Sequence, residues 1–229
     1  VELVIHIEEP IQRVSPEGVS GLGAVLVGQA TGPIALRLPR RFSTVGASFR
    51  PAGARPFANG PLSELTGRSI PLADAWGREG TELHERLRLA PGHDTRVAIL
   101  RDALERRLGE HAAPRRRVCP VARVAGNRMP IRQAAAAAGV SVRTLERGFL
   151  SEVGLPPREL RAILRFRGAL ARLSRAREVG FALFAVECGY ADQAHLVREF
   201  RRFTGTSPAA FAAVPHPFSD RVATSRDGT

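Results

Sequence analysis

Gly189-Tyr190-Ala191-Asp192-Gln193-Ala194-His195-Leu196-Val197-Arg198-Glu199-Phe200 decides how this chain is read, because its pattern occurs twice. The earlier copy runs Gly139-Val140-Ser141-Val142-Arg143-Thr144-Leu145-Glu146-Arg147-Gly148-Phe149. Leu145, Arg147, Phe149 and Gly154 return 51 residues later as Leu196, Arg198, Phe200 and Gly205. Gly139 and Gly189 are only 50 apart, so the second copy has one more residue in its turn. Repetition at this period marks a structural unit used twice.

Each element of the unit has a physical reason. Two helices that cross closely need a small residue at the crossing, supplied by Ala135 and Ala185. Four residues later the chain must reverse, and glycine tolerates the positive φ this requires at Gly139 and Gly189. Ser141 and Asp192 are placed to accept a hydrogen bond from the first turn of the second helix. Leu145 and Phe149, like Leu196 and Phe200, face inward at i, i+4 spacing. That leaves Arg143, Thr144, Glu146 and Arg147 outward in one copy, and Gln193, Ala194, His195 and Arg198 outward in the other. Side chains of this kind read base edges in a major groove: Arg suits guanine, Gln suits adenine, and Arg also serves phosphates. These eight residues are the expected DNA contacts. Between the copies, residues 158–173 read as one helix with an apolar stripe of Leu160, Ile163, Leu164, Leu170 and Leu173. Such a rod would hold two recognition helices at a fixed separation, suited to successive major grooves about 34 Å apart.

Charge supports a polyanionic partner for this half. The net charge is +12, yet residues 1–114 carry 14 Arg against 13 acidic groups, whereas residues 115–229 carry 20 Arg against 9. Such a field attracts nucleic acid through counterion release. No apolar run approaches the roughly 20 residues that cross a bilayer, so no membrane span is expected. The chain opens directly in a strand-like run at Val1, which suggests missing upstream sequence. Cys119 and Cys188 lie far apart without metal-type spacing, which fits a reducing cytoplasm.

The N-terminal half reads differently. Residues 1–7, 24–27, 34–38 and 44–49 are strand candidates punctuated by Gly and Pro, which predicts a small antiparallel sheet or barrel. Helical periodicity follows at residues 61–65, 79–89 and 95–108, the last with Asp94 as its cap and Val97, Leu100, Leu104 and Leu108 as its stripe. Residues 111–117, with Pro114 and three consecutive arginines, read as a linker, and residues 215–229 as a flexible tail. The expected organisation is an α+β domain at residues 1–113 and an all-α double helix-turn-helix domain at residues 114–214.

At these residues the chain resembles the AraC/XylS family of transcription activators. The resemblance rests on the Gly139–Phe149 pattern, the helix after Pro157 with Arg165-Phe166, and above all the stretch Gly189–Phe200. It covers about 100 residues. The N-terminal half, with Glu2-Leu3-Val4-Ile5-His6 and Ile70-Pro71-Leu72-Ala73-Asp74-Ala75-Trp76-Gly77, resembles an uncharacterised domain found before such regulators. The resemblance implies a regulator that binds double-stranded DNA, often with a cupin-like barrel as its sensor, and that needs no cofactor and performs no chemistry. A small-molecule effector or partner at residues 1–113, RNA-polymerase contact and a homodimer are the further partners it suggests. Gly148 inside the first recognition helix departs from the family pattern and costs about 1 kcal/mol relative to Ala. Gly180 and Leu183 stand where the family usually has a helix cap and an acidic residue.

Three rival readings stand beside this one. A metal enzyme would need converging His and carboxylates, but the first 110 residues hold only His6, His84 and His93, without paired spacing. A DNA-alkylation repair protein would need an activated cysteine, and Cys119 has no recognisable activating surroundings. An architectural DNA-binding protein without a sensing role is the third.

Overall fold

The computed structural model describes residues 1–16, 18–110, 130–174 and 180–213. The expected linker at 111–117, the 113/114 boundary, Cys119 and the tail at 215–229 lie outside the described residues. By contacts, the chain divides into a unit of Val1–Ala30 with Ile34–Pro157 and a unit of Thr31–Pro33 with Arg158–Thr229. The first helix pair is therefore grouped with the N-terminal elements, and the second with the long helix that precedes it.

The first unit is built on a four-stranded antiparallel sheet. Its strands are β1 (Glu2–His6), β4 (Ala24–Val27), β6 (Thr44–Ser48) and β7 (Ser69–Pro71), in the order β6-β1-β4-β7. Register explains the core: Leu3 sits opposite Leu26 and Ile5 opposite Val45, so four apolar side chains share one face. Leu3, Ile5 and Leu26 are fully enclosed, each contributing about 1.5–3 kcal/mol. Strands β2 (Gln12–Ser15), β3 (Gly18–Gly21) and β5 (Ala35–Arg37) form a separate three-stranded antiparallel sheet, ordered β3-β2-β5. Of the two expected forms, the described strands make open sheets rather than one closed barrel.

Two 3-10 turns, Arg55–Phe57 and Leu62–Leu65, lead into β7 and then helices α1 (Leu72–Trp76), α2 (Arg78–Leu89) and α3 (His93–Glu110). Trp76 is core, as its indole nitrogen donates to the Phe57 carbonyl at 2.9 Å. The α3 expectation needs two corrections. The helix starts at His93, so Asp94 is an acidic first-turn residue rather than the cap, favourable to the helix dipole from that position. The inward face is Leu100, Ala103 and Arg107, while Val97 and Leu108 are exposed. The buried Arg107 guanidinium lies 4.6 Å from the centre of the Trp76 ring and pairs with Glu79 at 2.8 Å. A stacked, paired arginine thus fills a place that an apolar stripe would have given to leucine. The unit continues with α4 (Ile131–Ala137) and α5 (Val142–Glu152).

The second unit contains most of α6 (Pro157–Leu173), then α7 (Phe181–Glu187), α8 (Gln193–Thr204) and α9 (Pro208–Ala212). Pro157 takes the first helical position of α6, where its missing N–H costs nothing. Its core is Ala169, Leu173, Phe184, Ala185, Cys188, Tyr190, Leu196 and Phe200. Phe166 and Phe211 meet Phe200 edge to face, at 5.1 and 5.5 Å, so these rings are spent on packing. Among the described residues no helix is long and apolar enough to cross a membrane.

Candidate nucleic-acid interface

Both helix pairs are built as the repeat requires. Ala135 and Ala185 are buried at the crossings. In the turns, Gly139 and Gly189 have φ of 64° and 80°. The residue after each glycine donates back into the first helix, Val140 to Ala135 at 3.0 Å and Tyr190 to Ala185 at 2.9 Å. Ser141 Oγ then accepts from the Thr144 amide at 3.1 Å, and Asp192 Oδ1 from the His195 amide at 2.6 Å. Leu145, Phe149, Leu196 and Phe200 point inward. Gly154 and Gly205, which the repeat also pairs, end the second helices with φ of 87° and 78°.

The eight expected contact residues divide by environment. Arg143, Glu146 and Arg147 are exposed along α5, and Gln193, Ala194 and Arg198 along α8. Arg143, Arg147 and Arg198 form no ion pair among the described residues, so their charges face solvent unspent. Thr144 is exposed, but its hydroxyl lies 2.9 Å from Ser141 Oγ and completes the cap. His195 is only half exposed: Nδ1 accepts from the Ala191 amide at 3.3 Å, which leaves the ring proton on Nε2, facing Glu199 at 3.7 Å. Its ring also meets Tyr190 edge-on at 5.2 Å. His195 thus braces the turn from within.

A polar network explains much of the second copy's motif. Arg165 of α6 donates to Glu199 through Nη2 at 2.5 Å and Nε at 3.3 Å. Its guanidinium also lies 4.9 Å from the centre of the Tyr190 ring. Burial first, and the Glu199 carboxylate after it, raise the Tyr190 hydroxyl well above its ordinary value and keep it neutral. Arg202 of α8 pairs with Glu159 of α6, and Arg172 donates to the Glu187 carbonyl at 2.9 Å. The long helix is therefore bonded to both helices of the second pair. Arg165 thus serves to brace the second helix pair. Leu183 is exposed and Gly180 caps α7 without a side-chain bond.

Among the described residues, no three His, Cys, Asp or Glu side chains gather closely enough to hold a metal ion. Cys188 is a free, buried thiol.

Comparison with known families agrees with this construction. Residues 134–213 match the family described as a helix-turn-helix domain, and residues 1–71 match a domain of unknown function (DUF6597). The C-terminal part is thus similar to helix-turn-helix domains of the AraC type and follows a sheet-bearing N-terminal domain, which supports a DNA-binding transcription regulator. No curated protein matches the sequence. Among solved structures the chain is similar to ToxT from Vibrio cholerae, at 10% identity and a TM-score of 0.49, covering 93% of this chain and 89% of that one. It is similar also to unsaturated fatty acid bound wild-type ToxT, at 10% identity and a TM-score of 0.48, covering 94% and 88%.

Proposed function

We propose that this protein is a sequence-specific, DNA-binding transcription regulator that inserts α5 and α8 into successive major grooves. One observation carries the reading: two helix pairs of matching build each present an exposed arginine without an ion pair among the described residues, Arg147 and Arg198, at equivalent positions. In this reading Arg143, Arg147, Gln193 and Arg198 contact bases or phosphates, with Glu146 and Ala194 beside them. Thr144 and His195 contribute by holding the helix starts. The protein needs no cofactor and catalyses no reaction. The sequence boundary near residue 113 separates a regulatory domain from the DNA-binding domain, with a small molecule or a protein partner as the signal. Contact with RNA polymerase, a homodimeric form and a cytoplasmic setting belong to the same proposal.

The test uses the full chain and a pool of random duplexes. Two short preferred blocks about one helical turn apart support the reading, and Arg198→Ala then weakens binding at one block by about tenfold or more. A flat preference, with affinity set by salt alone, would instead favour an architectural binder.

A further inference from the structure

We infer that Leu62 and Thr66, in the N-terminal sequence region, are positioning residues of the first recognition helix, so that the end of this helix is fixed by a close backbone contact that the end of the second lacks. The inference rests on the DNA-binding reading for what the helix does, and on separate geometry for what holds it.

The geometry is a row of contacts with no slack. Helix α5 ends at Glu152, and Gly154 follows with its positive φ. A Cβ on Gly154 would lie 2.8 Å from the backbone oxygen of Leu62, so the two backbones touch without room for a methyl group. The Thr66 hydroxyl donates to the Gly154 carbonyl at 2.6 Å. Leu62, Val153 and Leu155 are almost completely buried around this contact. Arg55 and Glu152 approach to 4.0 Å at the rim, both partly exposed, and such a pair adds little. On its other side the same short segment is pressed against the sheet. Gly28, just after β4, has its Cβ position 1.8 Å from the Leu65 oxygen. Its amide donates to Arg68 at 2.9 Å, while the Gly67 amide donates to Gln29 at 2.9 Å. Residues 62–68 therefore bridge the end of a core strand and the end of α5. A shift at β4 has to appear at the recognition helix, because close-packed contacts do not absorb it.

The second pair supplies the control. Gly205 ends α8 in the same conformation, yet among the described residues nothing lies within 4 Å of its Cβ position. The glycine that ends α5 is gripped, and its counterpart at the end of α8 is open.

The experiment compares the full chain with Thr66→Val and Thr66→Ser. Amide hydrogen exchange reads residues 142–154 and 193–205 separately, and footprinting on a selected duplex reads each block of the site. Thr66→Val should speed exchange of 142–154 about tenfold, the effect of one lost part-buried hydrogen bond, and leave 193–205 unchanged. Protection should fade at one block only. Thr66→Ser, which keeps the hydroxyl, should restore both. Unchanged exchange of 142–154 in Thr66→Val would overturn the inference, and so would an equal rise in both segments. If the wild-type chain protects no block of any duplex, the DNA-binding reading fails instead, and the exchange comparison still decides whether the grip exists.

Discussion

Replacing Arg165 with Ala should destabilise the second helix pair by about 3 kcal/mol. The figure follows from what the guanidinium touches. It makes two charge-assisted hydrogen bonds to Glu199, one short at 2.5 Å and one long at 3.3 Å. Together these are worth roughly 1.5–3 kcal/mol, because hydrogen bonds to charged groups exceed neutral ones. Its position over Tyr190 adds about 0.5–1 kcal/mol. The Glu199 side chain is only 13% exposed, so losing its partner strands a carboxylate where water reaches it poorly. In a unit of this size a 3 kcal/mol loss lowers the unfolding midpoint by about 12–24 °C. Calorimetry of the full chain reads that shift, and amide exchange across residues 193–204 localises it. Arg165→Lys should recover no more than about half of the loss, since an ammonium keeps the charge but neither the bidentate fork nor the planar stack. The Arg165→Ala, Glu199→Ala double mutant should show a coupling above about 1 kcal/mol. A midpoint lowered by less than about 3 °C, or additive single mutants, would show that the pair is ornamental and the reasoning wrong.

Other perturbations test other links. Gly205→Ala should cost about 1 kcal/mol from its positive φ alone, whereas Gly154→Ala should cost at least twice that because its methyl meets the Leu62 backbone; urea midpoints compare the two. Removing a cap with Ser141→Ala or Asp192→Ala should each cost about 1 kcal/mol, seen as faster exchange confined to the start of α5 or α8. Burial first, and the nearby His84 second, hold the His6 imidazole below its usual 6.5. The unfolded chain takes up that proton more readily, so stability of the first unit is full above pH 6.5 and falls as the pH drops below it. His6→Gln should flatten this slope in urea titrations at pH 7 and pH 5, and an unchanged slope would place its origin elsewhere.

The helix pairs were legible because every constraint on them is local. A glycine four residues after a small alanine, a cap acceptor and an i, i+4 pair all fall within a dozen residues. Strands β1, β4, β5 and β6 were legible as apolar runs. Strands β2, β3 and β7 were not: Gln12–Ser15, Gly18–Gly21 and Ser69–Pro71 hold few apolar residues, and pairing with neighbours defines them as strands. Arg107 could not be foreseen as core, because its burial depends on Trp76 and Glu79 approaching from other helices. His195 illustrates the same limit at the candidate interface. Helical spacing turns it outward, but the Ala191 amide and Glu199 draw it back. Thr66 gave no sequence signal, since its partner Gly154 is 88 residues away.

The chain has a single tryptophan and a single tyrosine, and they fall in different cores. Trp76 is enclosed by the first unit and Tyr190 by the second. Each half of the molecule therefore carries its own optical label without any engineering. An effector taken up by the N-terminal sheet would register in indole emission, whereas loosening of the second helix pair would register in the phenolic near-ultraviolet band. Titrating one compound while watching both signals would tell local uptake from a change relayed along the chain.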